Sequence, residues 1–468
     1  MNGAVSKSPN AKVFVISDVH IGAGELDDFA PDIEARLLQF LDWLAQLPDA
    51  VELVINGDFF DFATAEPWDN PQLESTTHDG LPLCFTEEQS GSKLEEIIAA
   101  HGPVFDSLAK LLESNLDNTI TILPGNHDAD LFWPKVRQRI YERLAASAGA
   151  NSDAVTKRFV FMLERKYVLE KWGHRYWIEH GHQHDPPNSF FPNGEERWSA
   201  AAPPIFLDTD KQPRLYECPG TLGLVRYLNR WRRKYHSLSY IKPYSRIMLA
   251  LITFNAFREP GRPILVLRHL ASMLWWDVDL KTALNTNDDI EAACHQALED
   301  LLRNLSKDEE KTLIYLLGQQ GTTISGPLAN LAKTKGFRKR VLDSFAAELA
   351  DNGFKSGIQV TKEQLGFVRN GFLKDVETKA LAHMARKLIE EGKAEYVLTG
   401  HTHDPCQTPD GGFSNGGCWI PNQDLDSLAD AKRLIFEDGP VHFRMNYLEI
   451  DSAGPPKLHE FDRGFINI

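Results

Sequence analysis

Asp18-Val19-His20, Gly57-Asp58-Phe59-Phe60-Asp61, Gly125-Asn126-His127-Asp128, His180-Gly181-His182 and Gly400-His401-Thr402-His403 gather carboxylates, imidazoles and a carboxamide into five short clusters. Such a mixed nitrogen and oxygen donor set suits manganese, iron or zinc rather than calcium. Two divalent cations held roughly 3.5 to 4 Å apart can grip both the attacking and the leaving oxygen of an in-line displacement at phosphorus. A centre of that kind needs one shared carboxylate, and neutral donors elsewhere so that excess negative charge does not repel a phosphate. Asp18 and His20, like His401 and His403, stand two residues apart where an apolar run enters a loop, so both members of each pair can point at one ion.

The runs before the clusters are Lys12 to Ser17, Val51 to Asn56, Thr119 to Pro124, Arg175 to Glu179 and Glu395 to Thr399. They are short, rich in β-branched or aromatic residues and bounded by turn formers, which predicts strands. Between the first two, Ile33, Leu37, Phe40, Leu41, Leu44 and Leu47 fall on one stripe, which predicts a helix over Asp32 to Leu47. Strand, cluster, helix, strand, cluster is the order of a layered α/β core. In open α/β sheets, sites form outside the carboxyl ends of the strands, so polar tips far apart in sequence can converge. A second helical region is expected over Lys93 to Glu113, broken near Gly102-Pro103, with Glu66 to Ser92 as a long surface loop and Val441 to Ile450 as a closing strand.

Past Asp185-Pro186-Pro187 the pattern turns helical, with helices expected over Leu222 to Tyr235, Tyr244 to Phe257, Pro263 to Trp276, Ile290 to Leu305, Lys307 to Leu317, Phe337 to Asn352 and Asp375 to Glu391. Strand and cluster then resume near Tyr396. The expected organisation is one α/β domain built from residues 12–187 and 389–468, with a mostly helical insertion over 188–388. No internal repeat or low-complexity tract interrupts it.

A net charge of −16 excludes a surface that grips nucleic acid all over. From Cys218 through Arg258, however, there is no Asp or Glu, while Arg226, Arg230, Arg232, Arg233, Lys234, Lys242, Arg246 and Arg258 interleave with Tyr227, Trp231, Tyr235, Tyr240 and Tyr244. This island reads either as a solvated helix face or as a cap that binds an anionic substrate or rests on an anionic membrane. Five cysteines without C-x-x-C spacing predict reduced thiols and a cytoplasmic protein, with peripheral membrane contact through 218–258 as an option. The polar stretch Met1 to Ala11 predicts no secretion signal. The apolar run Ile247 to Phe257 is far shorter than the roughly twenty residues a spanning helix requires.

In order and type, the five clusters resemble the motif series of the calcineurin-like metallophosphoesterases over about residues 12–185 and 394–450, through Gly-Asp-x-x-Asp, Gly-Asn-His-Asp and Gly-His-x-His. The resemblance implies an α-β-β-α sandwich carrying the insertion as a cap. It implies that Asp18, His20 and His403 hold one metal, that Asp58 bridges, and that Asn126, His180 and His401 hold the other. Manganese is the foremost choice, with iron or zinc as alternatives, and no other cofactor is expected. A hydroxide between the metals would attack phosphorus. His127 would protonate the leaving oxygen, oriented by Asp61 or, alternatively, Asp128. The ligand precedes the glycine in the family pattern, which favours His180 over His182; His174 and His184 are expected to be structural or solvent-facing.

Two departures bear on substrate. Phe62-Ala63 follows Asp61 where serine/threonine phosphatases of the superfamily have Arg-Gly, and Asp128 stands where they have Glu, which argues against a phosphoprotein substrate. The whole insertion separates His180 from His401, so substrate choice is expected to reside there. The branch most similar contains UDP-2,3-diacylglucosamine pyrophosphatases, although the insertion here is much larger than their cap. The partner expected is an anionic, phosphate-containing substrate; nucleic acid, through the basic aromatic island, is a less favoured one. A non-catalytic scaffold is the remaining reading, against which stands the full set of ligands. Asn415-Gly416-Gly417-Cys418-Trp419 lies where the family places a turn beside the site, and reads equally as a plain hairpin turn.

Overall fold

The computed structural model describes residues 8–65, 85–185, 188–190, 198–207, 211–218, 221, 224–225, 229–232, 240–242, 376–424 and 440–467. Its strands are β1 (Lys12–Ile16), β2 (Val51–Asn56), β3 (Thr119–Leu123), β4 (Phe159–Phe161), β5 (Tyr167–Lys171), β6 (His174–Ile178), β7 (Ile205–Leu207), β8 (Pro213–Leu215), β9 (Ile241–Lys242), β10 (Tyr396–Thr399), β11 (Cys406–Gln407), β12 (Phe413–Asn415), β13 (Gln423–Asp424), β14 (Pro440–Ile450) and β15 (Lys457–Asn467). Helices are α1 (Pro31–Ala45), α2 (Glu87–Ala100), α3 (Gly102–Ser114), α4 (Pro134–Ala148), α5 (Ser152–Arg158) and α6 (Val376–Glu390), with a helical turn at Asn229–Arg232.

Two sheets pack face to face. One runs β15-β14-β1-β2-β3-β4 and the other β11-β12-β10-β6-β5. Alternate residues of a strand point to opposite faces, and β1 divides accordingly. Val13 and Val15 join Val54, Leu123, Tyr176, Ile178 and Leu398 between the sheets. Phe14 and Ile16 face outward and pack with Leu53, Ile55, Ile120 and Ile122 against Leu37, Phe40 and Leu41 of α1 and Leu108 of α3. On the far side of the second sheet, Val397 and Phe413 are covered by Leu381 and Ala385 of α6. The result is the α-β-β-α sandwich.

Both ends of the chain enter the same sheets. Strand β10 lies parallel to β6, with Val397 opposite Trp177, and β14 lies antiparallel to β1, with Val13 opposite Ile450. The expected strand over Val441 to Ile450 is therefore present as β14, but it does not close the sheet. Strand β15 pairs along its whole length and forms the edge. Helix α2 begins at Glu87, inside the segment expected as a loop, under a capping box in which Thr86 and Gln89 satisfy each other's backbone N–H groups; residues 66–84 lie outside the described residues.

Of the expected insertion helices, Asp375 to Glu391 corresponds to α6, and Leu222 to Tyr235 is described only in part. Those over Tyr244 to Phe257, Pro263 to Trp276, Ile290 to Leu305, Lys307 to Leu317 and Phe337 to Asn352 lie outside the described residues. The beginning of that stretch pairs β7 with β8 as an antiparallel hairpin, and Phe190, Trp198, Leu215 and Cys218 enter the core shared with α1 and α3. Strand β9 pairs with β13. Cys218, Cys406 and Cys418 are free thiols. Among the described residues no helix is long and apolar enough to cross a membrane.

Candidate metal centre

The strands β1, β2, β3, β6 and β10 end at the five clusters, and their tips interlock through backbone hydrogen bonds. Asp18 donates its N–H to Gly57 O at 3.2 Å, His20 to Asp58 O at 3.0 Å, and Gly400 to His180 O at 2.8 Å. These bonds hold an unusual backbone. Asp18, His20, Asp58, His401 and His403 all have positive φ, between 50° and 69°, and the only other such non-glycine residues described are Trp172 and Lys211. A side chain in this region costs about 1–3 kcal/mol of backbone strain, and such strain collects at functional sites. Here it turns neighbouring side chains inward together.

The packing leaves no room for larger residues at the tips. A Cβ on Gly125 would lie 2.1 Å from Asp58 Oδ1 and 2.7 Å from the Asp58 backbone nitrogen. One on Gly400 would lie 2.4 Å from Asp18 Oδ2. Each of these glycines is the gap through which another cluster's carboxylate reaches the centre.

Three groups of side chains bring potential ligand atoms together: Asp18, His20 and His403; Asp58, His180 and His401; and His20, Asp58 and His127. Asp58 Oδ2 sits 3.1 Å from His180 Nε2 and 3.9 Å from His20 Nε2, so one oxygen faces both sides of the centre. Asp18 Oδ1 is 3.3 Å from His403 Nε2 and 3.9 Å from His20 Nε2.

The histidines are held from behind. His180 donates Nδ1–H to Asn56 O at 2.8 Å, which turns Nε2 to Asp58. His127 donates Nδ1–H to Asp61 Oδ1 at 2.9 Å. His401 donates Nε2–H to Asp185 Oδ2 at 3.0 Å. Hydrogen-bonding one ring nitrogen to a carboxylate or carbonyl fixes the tautomer and orients the other nitrogen toward a metal. The buried Asn126 Oδ1 has no hydrogen-bond partner, as suits a ligand oxygen waiting for a cation. The donor set thus fits a pair of divalent ions.

Residues 11–219 match the calcineurin-like phosphoesterase family. No curated protein matches the chain. The match and the Asp/His clusters together support a metal-dependent phosphoesterase; the match covers less than half of the chain, and His401 and His403 come from beyond it.

Electrostatics in the site couple buried carboxylates to the imidazoles beside them. Burial alone would raise the carboxyls of Asp18, Asp58 and Asp61, but His180 for the first two and His127 for the third hold them well below the usual carboxylate range. Reciprocally, burial would lower His127, yet Asp61 and Asp58 raise it to about 9. His180 is likewise lifted, against burial, by Asp58 and Asp18. A nearby opposite charge favours the charged form of each partner, so carboxylates and imidazoles shift in opposite directions.

Asp128 does not meet His127. Its Oδ2 accepts the Phe59 N–H at 2.9 Å and its Oδ1 the Gly125 N–H, so it braces the two neighbouring loops, and burial followed by the charge of Asp58 raises its carboxyl. His182 lies beside His180 but stacks at 12° on Trp198 and is kept neutral by burial. His184 donates to Glu179 Oε1 at 2.6 Å and His174 to Glu395 Oε2 at 2.7 Å, both away from the centre. Asn415 Nδ2 donates to Gly400 O at 2.6 Å, and Trp419 N–H to Asp18 O at 2.9 Å, so the glycine-rich turn supports two of the cluster loops.

Some of the basic island belongs to the core. Arg232 is 2% exposed, pairs with Asp28 and donates to Leu26 O at 2.9 Å; Tyr240 donates to Asp28 O at 3.4 Å. Asn229 Nδ2 reaches Ala63 O at 2.8 Å, just past Asp61, and Thr221 Oγ1 donates to Asn126 O at 3.2 Å. These four residues, with Asp185 and Asn56, are supports of the site that cluster motifs do not reveal. For Arg232 the only sequence signal was a basic residue in a stretch without acids.

Proposed function

We propose that the chain is a dinuclear metal-dependent hydrolase of a phosphodiester, pyrophosphate or phosphomonoester bond, with the segment between its two core parts choosing the substrate. What carries the reading is Asp58, whose single oxygen faces His180 on one side and His20 on the other. Asp18, His20 and His403 would hold one ion, Asp58 would bridge, and Asn126, His180 and His401 would hold the second, with manganese foremost. When bound, such a pair supplies Lewis-acid charge and a water of lowered pKa. Residues 12–187 and 389–468 would form one domain around the insertion 188–388, a division supported by the pairing of β6 with β10.

The chain's own contribution to bond breaking lies with His127 and Asp61. Asp61 keeps a proton on Nδ1 and favours the imidazolium, so that Nε2–H can deliver a proton to a leaving oxygen. His127 and His403 have side chains 18% and 14% exposed, against 0–7% for Asp18, His20, Asp58, His180 and His401, so a phosphate would enter past them.

Anionic substrates suit the basic island, including lipid-linked diphosphates at a membrane surface, although Arg232 and Tyr240 are occupied by the core. The test is hydrolysis of bis-p-nitrophenyl phosphate, nucleotides, nucleotide sugars, lipid-linked diphosphates and single-stranded DNA, with and without manganese, using His127→Ala as control. Metal-stimulated turnover lost in that variant is the expected result. No metal-stimulated turnover on any of them would favour a scaffold.

A further inference from the structure

Asp185 is the last residue before Pro186-Pro187, whereas His401 lies on the far side of the segment that follows. The two are nevertheless joined, His401 Nε2–H to Asp185 Oδ2 at 3.0 Å, with both side chains less than a tenth exposed. The carboxylate is itself fixed. Asn188 Nδ2 donates to the same oxygen at 2.6 Å, the Asp185 N–H donates to His182 O at 3.0 Å, and the Asn188 N–H to Asp185 O at 2.9 Å. A short turn therefore presents one oxygen, in one place, to one ring nitrogen.

We propose that Asp185 is a positioning residue for His401, holding the proton on Nε2 and turning Nδ1 toward the cluster it forms with Asp58 and His180. This rests on the reading of His401 as a ligand. The chemical reason is that a neutral imidazole has one lone pair in its ring plane; without an anchor it rotates and exchanges tautomers, and only part of the population offers the right nitrogen. Loss of such an anchor weakens metal binding about 10- to 100-fold. The anchor also has a special place in the fold. It ties the loop after β6 to the loop after β10, two neighbouring parallel strands, so the carboxylate and the imidazole are delivered by adjacent strand tips.

The experiment is manganese binding to the full-length protein by isothermal titration calorimetry at one pH. Asp185→Ala should weaken one of two sites about 10- to 100-fold and leave the other within about twofold, and Asp185→Asn, which retains an acceptor oxygen, should weaken it less. In a His401→Ala background, adding Asp185→Asn should have no further effect on manganese affinity, which a merely structural role would not produce. Unchanged affinities in both Asp185 variants, or an undiminished Asp185→Asn effect without the imidazole, would overturn the proposal. Should Asp185→Ala fail to fold, the Asp185→Asn comparison in the two backgrounds decides alone. If His401→Ala by itself leaves both affinities unchanged, it is the ligand assignment that fails.

Discussion

His20 and His403, 383 residues apart, face each other Nε2 to Nε2 at 3.1 Å. At that distance either an N–H of one ring meets the lone pair of the other, or both lone pairs share a cation. The full-length protein should bind two manganese ions, and His403→Ala should retain one at its former affinity. Calorimetric stoichiometry checks this, and two undisturbed sites in His403→Ala would separate His403 from His20.

Asp58 faces His180 and His20 with one oxygen and accepts the His127 backbone N–H at 2.8 Å with the other. Asp58→Asn should therefore cost more than His20→Ala, with a loss of at least about 100-fold in turnover of bis-p-nitrophenyl phosphate, as when a charge-stabilising group is removed. Equal, full activity in Asp58→Asn would contradict the bridging role.

The pairing of Asp61 with His127 has a signature in leaving groups. General acid catalysis is worth about 10²- to 10⁴-fold, and it matters most when the departing oxygen is basic. Asp61→Asn and His127→Ala should lower kcat/KM strongly for an alkyl phosphate ester and much less for a p-nitrophenyl ester. A uniform loss across both esters would assign the pair to binding rather than proton delivery.

Away from the centre, His101 sits between α2 and α3 and bonds Asp27 Oδ2 at 2.6 Å and Glu34 of α1. Burial alone would lower its pKa, but these two carboxylates raise it above the ordinary value of 6.5. A folded-state pKa above the unfolded one means the contribution is complete below about pH 6.5 and is lost as pH rises through the raised value. Urea midpoints should fall over that interval in the native protein, and the fall should shrink in His101→Gln. An identical pH slope in the variant would remove His101 as its source.

Arg232 and Asp28 form a buried ion pair that fastens the start of the intervening segment to the β1–α1 loop. Removing one partner of such a pair costs about 3–5 kcal/mol, whereas replacing both with matched neutral groups costs much less. Arg232→Ala should lower the melting temperature clearly, and Asp28→Asn with Arg232→Met should recover part of the loss. Recovery of nothing would mean that the pair acts by packing alone.

What could be read from the sequence was whatever the chemistry demanded locally. Short apolar runs ending in Asp, Asn and His exposed a layered α/β core and the donor residues at its strand tips, while the sandwich was implied by the resemblance to the metallophosphoesterases. The supports were less legible. Asp185 reaches His401 across 216 positions, and no local pattern distinguishes it from an acid ahead of two prolines. Asp128 resembles a catalytic carboxylate, but its oxygens answer backbone N–H groups whose place depends on the folded loops. Strand β15 carries Lys457, His459, Glu460, Asp462 and Arg463, as an edge with a wet face can, and had no sequence expectation of its own. Thr86 was a different case: Thr-Glu-Glu-Gln marks a helix start in plain sight.

Five residues of the centre hold a backbone shape that glycine would adopt more readily. For such positions, robustness and chemistry pull in opposite directions. A lineage released from the need to turn over substrate would gain by relaxing these loops, and the imidazoles and carboxylates would be among the first groups to go. Their joint presence therefore sets the comfort of the loops against the donors those loops carry.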